Sequence, residues 1–496
     1  MAIAKKKKAC TILFILQFIG EAVLALSLIA SDMIPANYLI MAISVEIIML
    51  VVTWELYFLR ADESNEKGLA IRRGIAAIIS IVVFIVSLVG YTALDKVTDT
   101  LKEITSKNTV TTVVGVYVRA DDPAKSIKDA ASYDFGYSTA FDEENIQTTL
   151  KKIKKEIGKT PKTEEYEDSM EMVDALYGGD VDAIVLSESY ATIIESQEGY
   201  ESFVEDTKLI YDYQIVTKAN TNNKTSGDLS KFVIYLSGSD TRSKTLDVSR
   251  SDVNILMAVN TNTKEILLIN TPRDYYIPIS VSSSGKRDKL THCGIYGINC
   301  SIDTLSALYS QNVDYYAQIN FTGFETLVDA IGGITVNSDK AFTTFDGHSF
   351  SVGENNLNGA QALAFARDRK HQASGDNGRG QNQMKVITAI IKKLSAGTIL
   401  SNYSDILESM QGMFVTDMST KDINSLVKMQ LSDMASWNIH SYAVTGSDGS
   451  STTYSIPRAK AYVMYPNEQT VDQASELMQR VLAGDKLTDA DVKKAK

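Results

Sequence analysis

Three long apolar runs, roughly Thr11–Ala30, Ile34–Leu59 and Gly74–Leu94, crowd the start of the chain. Each is near or above the ~20 residues a helix needs to cross ~30 Å of hydrocarbon. Three such runs in series, with no small-residue cleavage site after the first, read as spans rather than a removable leader. A chain that begins this way commits its remaining length to one side of a bilayer or the other. Lys5, Lys6, Lys7 and Lys8 precede the first run, and Arg60, Lys67, Arg72 and Arg73 lie between the second and third. The segment Ser31–Tyr38 carries no lysine or arginine. Because basic loops stay inside, the N-terminus is expected in the cytoplasm and everything after about Asp95 outside. The expected location is thus the cell membrane, multi-pass, with a large extracellular C-terminal region.

This reading assigns the lysine run to topology. Nucleic-acid binding is disfavoured on a second ground. The chain has 61 acidic against 49 basic residues, a formal net charge of -12, whereas a nucleic-acid surface is basic. Three cysteines, Cys10, Cys293 and Cys300, exclude a disulfide framework and a four-cysteine zinc site. Cys293 and Cys300 leave open a local disulfide or two buried thiols. Glu21 and Glu46 fall inside spans, where acids are costly; a functional role and a helix–helix contact are both open.

Beyond the spans, residues 96–107 read as a polar stalk. Thr109–Val118 (TVTTVVGVYV) reads as a β-branched strand. Helical patterns at about 142–157 and 168–176 and a buried strand at Ala183–Leu186 complete an α/β unit that ends near Ile215. It holds no constellation that suggests chemistry. Lys218–Asp228 (KANTNNKTSGD) reads as a linker. A second α/β unit follows. Its strands are Lys231–Ser237, Val253–Val259 and Glu265–Asn270, and its helices Ile302–Tyr309, Phe321–Ile331 and Met384–Leu394.

The polar residues of the second unit cluster at element ends. Asp240 follows the first strand, Arg250 and Asp252 precede the second, and Arg273 and Asp274 follow the third. Strand ends of α/β sheets are where sites gather. Two carboxylates at neighbouring strand ends supply the hard oxygens that Mg²⁺ prefers; a turn or cap role explains either one alone. Further on stand Arg367, Arg369, Asp376, Arg379 and Gln383. Arg379 and Gln383, four apart, share a helix face that continues to Ile387 and Ile390, which look like core. Guanidinium forks suit phosphate oxygens, and a helix N-terminus favours an anion.

Ser249–Asp252 (SRSD), Thr271–Asp274 (TPRD), Asp288–His292 (DKLTH), Asn320–Phe324 (NFTGF), Asp329–Gly333 (DAIGG), Ala362–Arg369 and Asp376–Gln383 together resemble the LytR-CpsA-Psr family. The resemblance spans about Phe232–Leu394, with the motifs in family order. The three spans and the preceding α/β unit look like the family's streptococcal capsule-attachment (CpsA/Wzg) branch. The resemblance implies three N-terminal transmembrane helices (1–95), an extracellular α/β accessory domain (96–217) and an α/β catalytic domain with a lipid pocket (229–400). Residues 401–496 would complete that domain with helices, a strand and a tail.

The implied activity is an extracellular phosphotransferase. It would move a capsular polysaccharide from undecaprenyl pyrophosphate to peptidoglycan, with wall teichoic acid as the rival donor. A non-enzymatic regulator or scaffold of capsule synthesis is the alternative of another class. The implied partners are the polyprenyl-pyrophosphate-linked glycan, peptidoglycan, the membrane and capsule-assembly proteins. By the resemblance Asp240 and Asp252 match the acids that hold Mg²⁺ or Mn²⁺, and together with Arg273 they form the expected catalytic set. Arg250, Arg273, Arg367, Arg369, Arg379 and Gln383 match the pyrophosphate-binding set, with Asp376 a further acid beside it. His292 stands as a ligand or a core histidine.

Overall fold

The computed structural model describes residues 2–58, 66–106, 109–138, 142–195, 197–218, 228–239, 241–242, 246, 248–369, 376–395, 406–408 and 410–493. They divide into two compact units: residues 1–105 with 394–411 and 418–436, and residues 106–393 with 412–417 and 437–496.

The first unit is helical. Helices α1 (Ala2–Ser31), α2 (Ala36–Phe58) and α3 (Glu66–Ser106) are each long and apolar enough to cross a membrane. A polar seam joins α1 to α3. Ser80 Oγ donates to Gln17 Oε1 (2.7 Å), and Gln17 Nε2 donates to Glu21 Oε1 (2.9 Å). Glu21 is thus part of a buried helix–helix contact. The expected stalk is instead the last three turns of α3. Val97, Leu101 and Ile104 recur at helical spacing and are buried, an apolar stripe that a loop would not need.

The segment Thr420–Asp433 belongs with these helices. Thr105 and Thr420 share a hydroxyl hydrogen bond of 2.7 Å, Asn424 Nδ2 donates to the Ser31 carbonyl (2.9 Å), and Lys428 pairs with Asp32 (2.6 Å). Residues 401–496 therefore do not act as one piece: 418–436 go with the apolar helices, and 437–496 with the second unit.

The second unit carries two sheets. In the first, β3 (Lys162–Glu165), β2 (Asp134–Tyr137), β4 (Ala183–Ser187), β1 (Thr109–Arg119) and β5 (Thr207–Lys218) stand in that order. Strand side chains alternate between faces, and both faces here are buried. Val114, Val116, Val118, Ala183 and Val185 pack with α4 (Glu143–Ile157). Tyr117, Ile184 and Leu186 pack with α5 (Ser169–Gly178) and α6 (Glu188–Ile194). This second cluster also takes in Ile456 and Ala461 from the far end of the chain.

The larger sheet has the order β10 (Phe414–Thr416), β9 (Tyr315–Asn320), β6 (Lys231–Ser239), β7 (Ser251–Asn260), β8 (Glu265–Asn270) and β11 (Asn438–Ala443). β9 runs parallel to β6, and β11 parallel to β8; the other pairs are antiparallel. Its core includes Val233, Tyr235, Leu256, Ala258, Leu267 and Ile269, with Leu305 and Leu477 from the helices Ile298–Tyr309 and Glu468–Ala483. The remaining helices that matter for the site are Phe321–Ala330, Gly359–Arg367 and Asp376–Lys393. The expected linker at 218–228 lies almost wholly outside the described residues.

Candidate functional site: an apolar cavity with a cationic mouth

A cavity of about 480 Å³ lies between the larger sheet and three helices. The sheet contributes Leu236, Val253, Ala317 and Ile319, and the helices Phe324, Leu327, Leu363, Val386, Ile387 and Ile390. Polar groups enter the lining as Asp252, Arg273, Arg367, Arg369, Arg379 and Gln383. Among the lining residues, guanidinium groups outnumber carboxylates.

Local structure explains the convergence. Asp252 is the second residue of β7, and Arg273 follows the end of β8, its antiparallel neighbour. Arg273 Nη1 donates to Asp252 Oδ1 at 2.8 Å. Arg367 ends the helix Gly359–Arg367, whose start carries a capping box from Asn358 and Gln361. Its guanidinium sits 4.6 Å from the Phe321 ring centroid, a cation–π contact that holds it at the mouth.

Arg379 and Gln383 lie one turn apart on Asp376–Lys393. The same face continues as Val386, Ile387 and Ile390. Ile387 and Ile390, which look like core in sequence, line the cavity. From Arg379 to Ile390 the face grades from charged to apolar over about 16 Å at 1.5 Å per residue. An amphiphile with an anionic head and a hydrocarbon tail matches that gradient.

Asp252 is mostly enclosed at the mouth, its side chain 15% exposed. Burial pushes its carboxyl pKa up, but Arg273, Arg250 and Arg379 outweigh that and hold it below the usual aspartate range. Arg250 thus acts on the site through charge, although it is not part of the cavity lining. Asp240 and the Asp376 side chain fall outside the described residues, so the described residues bring a single acid, Asp252, to the cavity wall. Mg²⁺ takes oxygen ligands in near-octahedral geometry. Among the described residues no group of three or more potential metal-binding side chains exists. A cation at Asp252 would need oxygens from elsewhere.

The sequence reading passed over two supports. Thr291 Oγ1 donates to Asp252 Oδ1 (3.2 Å), and its backbone N–H donates to the Arg273 carbonyl (2.8 Å). Thr291 sits on a 3₁₀ turn, Leu290–Tyr296, which packs against the backbone of 249–251. Gly294 makes that approach feasible: a Cβ there would lie 2.4 Å from the Ser249 carbonyl oxygen. The glycine after Thr291-His292-Cys293 was the available signal.

The other support is a buried polar chain. His292 Nδ1 lies 2.7 Å from Asp288 Oδ1, and Ser455 N and Oγ both donate to Asp288 Oδ2. Ser455 Oγ meets Tyr296 OH (2.8 Å), and Tyr296 OH meets Tyr190 OH (3.0 Å) on the first sheet's side. Burial pushes the Asp288 carboxyl up, but His292 and the hydrogen bonds hold it low. His292 is a core residue with a carboxylate partner. Cys293 and Cys300 are both buried free thiols.

The model of the LytR_cpsA_psr family matches residues 195–479, more than half of the chain. A DNA polymerase processivity factor model matches residues 72–186, a range that begins inside α3, stops inside β4 and leaves out β5. The polyisoprenyl-teichoic acid–peptidoglycan teichoic acid transferase TagU of Enterococcus faecalis is 34% identical over 212 residues, covering 42% of this chain and 67% of that protein. TagU of Bacillus mycoides is 36% identical over 196 residues, covering 39% and 63%. The alignments thus take in about two thirds of these relatives' length. The crystal structure of B. subtilis TagU (28% identity, TM-score 0.40) covers 52% of this chain and 99% of that one. A structure of TagT bound to LIIa-WTA (27%, TM-score 0.42) covers 53% and 96%. The chain belongs to the LytR_cpsA_psr family, whose curated members matched here are transferases by name.

Proposed function

We propose that this chain is a membrane-anchored phosphotransferase that moves a glycopolymer from a polyisoprenyl pyrophosphate carrier to peptidoglycan. The observation that carries the reading is one apolar cavity whose mouth gathers Asp252, Arg273, Arg367, Arg369, Arg379 and Gln383. The tail enters the cavity, and the guanidinium groups take the pyrophosphate. The relatives' names favour a teichoic acid as the donor polymer over the capsular polysaccharide expected from the resemblance. The basic loops favour an outward-facing second unit.

The reaction is a displacement at phosphorus. An acceptor hydroxyl forms a P–O bond to the glycan-bearing phosphorus, the phosphoanhydride bond breaks, and the polyprenyl phosphate leaves. Negative charge spreads over phosphoryl oxygens, so positioning and cationic stabilisation supply most of the catalysis. Arg273, Arg367, Arg369 and Arg379 provide that charge. Asp252, with Asp240, is proposed to hold Mg²⁺ or Mn²⁺, which when bound neutralises phosphate charge. Held ionised by its arginines, Asp252 also accepts a hydrogen bond from the incoming hydroxyl and orients it.

The test is incubation of the purified full chain with a lipid-pyrophosphate-linked glycopolymer, peptidoglycan and Mg²⁺. A phosphodiester-linked product that vanishes with Arg273→Ala is expected. Absence of product with both teichoic-acid and capsular donors would favour a non-enzymatic role in wall assembly.

A further inference from the structure

Beside Arg273, outside the cavity, an aromatic surface stands on two short strand pairs. Tyr276 belongs to the strand Tyr276–Pro278, which pairs with Arg287–Lys289. Tyr462 and Tyr465 belong to Ala461–Pro466, which pairs with Gly446–Ser451. A bridge between Tyr275 and Met464 joins the two pairs. The Tyr276 and Tyr465 rings meet edge-on at 5.7 Å between centroids. Tyr462 and Tyr465 are 43% and 40% exposed, unusual for large rings that the cores beneath do not use.

Cations border the rings. The Arg287 guanidinium lies 6.0 Å from the Tyr276 centroid, and Lys289 Nζ 6.0 Å from that of Tyr462. Charge pairing ties this surface to the reaction site. Lys289 Nζ is 3.4 Å from Asp274 Oδ1, Asp274 Oδ2 is 3.5 Å from Arg273 Nε, and Arg273 Nη1 is 2.8 Å from Asp252. Three short contacts therefore separate Lys289, which borders the Tyr462 ring, from Asp252.

We infer that Tyr276, Tyr462 and Tyr465 form the acceptor subsite, where a peptidoglycan glycan strand lies against the tyrosine rings and its acidic substituents meet the exposed Arg287. This rests on the transferase reading above and deepens it. Sugar rings present apolar C–H faces, and exposed tyrosines offer flat apolar area with a polar tip. The acceptor rather than the donor glycan is assigned here for a geometric reason. In phosphoryl transfer the attacking and leaving oxygens lie roughly in line through phosphorus. The leaving polyprenyl phosphate occupies the cavity, so the acceptor comes from the side away from it. None of the three tyrosines lines the cavity.

The experiment is cosedimentation of the full chain, in detergent, with sacculi stripped of anionic polymers. Tyr462→Ala and Tyr465→Ala should each bind roughly three- to tenfold more weakly than wild type, the range that loss of one aromatic contact spans. Tyr462→Phe should bind like wild type, since it keeps the ring and loses only the hydroxyl that donates to Asp448. All three variants should keep the thermal shift given by a polyprenyl pyrophosphate. Sacculus binding equal to wild type in both alanine variants would overturn the inference. So would loss of the lipid shift in those variants, because the surface would then act through the cavity. Weaker binding of a glycan-bearing carrier, with sacculus binding unchanged, would give this surface to the donor and overturn it too. If wild type shows no shift with polyprenyl pyrophosphate, the transferase reading fails, while the sacculus comparison still reads the tyrosines by itself.

Discussion

Arg273 and Asp252 form an ion pair of 2.8 Å at the wall of the cavity, with the arginine from the end of one strand and the acid from the start of its antiparallel neighbour. The pair leaves Asp252 ionised although it is mostly enclosed, because Arg250 and Arg379 add to Arg273.

The stability contributed by Asp252 should follow a defined pH window. Its folded pKa is depressed, so the contribution is fully present above the unfolded aspartate value of about 3.9 and is lost as pH falls through the lower folded value. In urea unfolding, wild type should exceed Asp252→Asn by a constant margin above about pH 5, and the margin should close below about pH 4. A margin that shrinks between pH 8 and pH 6 would contradict the arrangement.

Arg367 and Arg379 should separate in their effects on stability but not on ligand. Loss of one charge-assisted contact costs about 1.5–3 kcal/mol, so either alanine variant should bind polyprenyl pyrophosphate about ten- to a hundredfold more weakly. Arg367 is exposed, and its removal should leave the melting temperature nearly unchanged. Arg379 is buried, and its removal should lower it. Thermal-shift titration reads both quantities.

Ala317 lies on the cavity wall, so Ala317→Trp should fill the space meant for a tail. The variant should lose most of the affinity for a long polyprenyl pyrophosphate and keep that for a short isoprenyl pyrophosphate. Isothermal titration with the two chain lengths is the check. Equal losses for both would mean the tail lies elsewhere.

Arg458 reaches from the last part of the chain to the first sheet's helix α5, with Nε 2.7 Å from Asp168 Oδ2. Around it Ile456 and Ala461 sit in that sheet's core. A chain starting near Ser226 should therefore bind a hydrophobic dye and melt lower than the full chain, whereas Arg458→Ala alone should cost at most about 1 kcal/mol at this half-exposed site. A truncated protein as stable as the full chain would count against a shared core.

Orientation is testable through Lys286, which is exposed on the second unit. With Cys293 and Cys300 buried, Lys286→Cys should label with an impermeant maleimide on intact protoplasts. Labelling only after lysis would reverse the assignment.

Much of this was legible in the sequence where a residue's neighbours along the chain also decide its environment. Glu265–Asn270 reads as a buried strand because all six residues are enclosed. Arg379 and Gln383 could be placed on one face because helical spacing is local. The apolar pattern of that helix starts only at Met384, and the spacing of Arg379 and Gln383 carried it further back. It begins at Asp376; its first turns are polar and glycine-containing where they meet the cavity mouth and Asn270, and a Cβ on Gly380 would lie 2.1 Å from Asn270 Nδ2. Thr291 was missed because its partner is thirty-nine positions away. The helical ending of α3 was missed because its polar composition hides three apolar residues at the right spacing.

The cluster joining Tyr117, Met172 and Leu186 to Ile456 and Ala461 has a kinetic side. Ile456 and Ala461 close a core opened by residues far earlier in the chain. Such contacts are slow to form, because loop closure must precede the reward. The first sheet can pair its strands as soon as they emerge, yet one of its apolar clusters stays incomplete until Ile456 and Ala461 have been made. A ribosome stall before Ile456 would therefore leave part of that apolar cluster exposed on a half-finished chain, and quality-control proteases would find it there first.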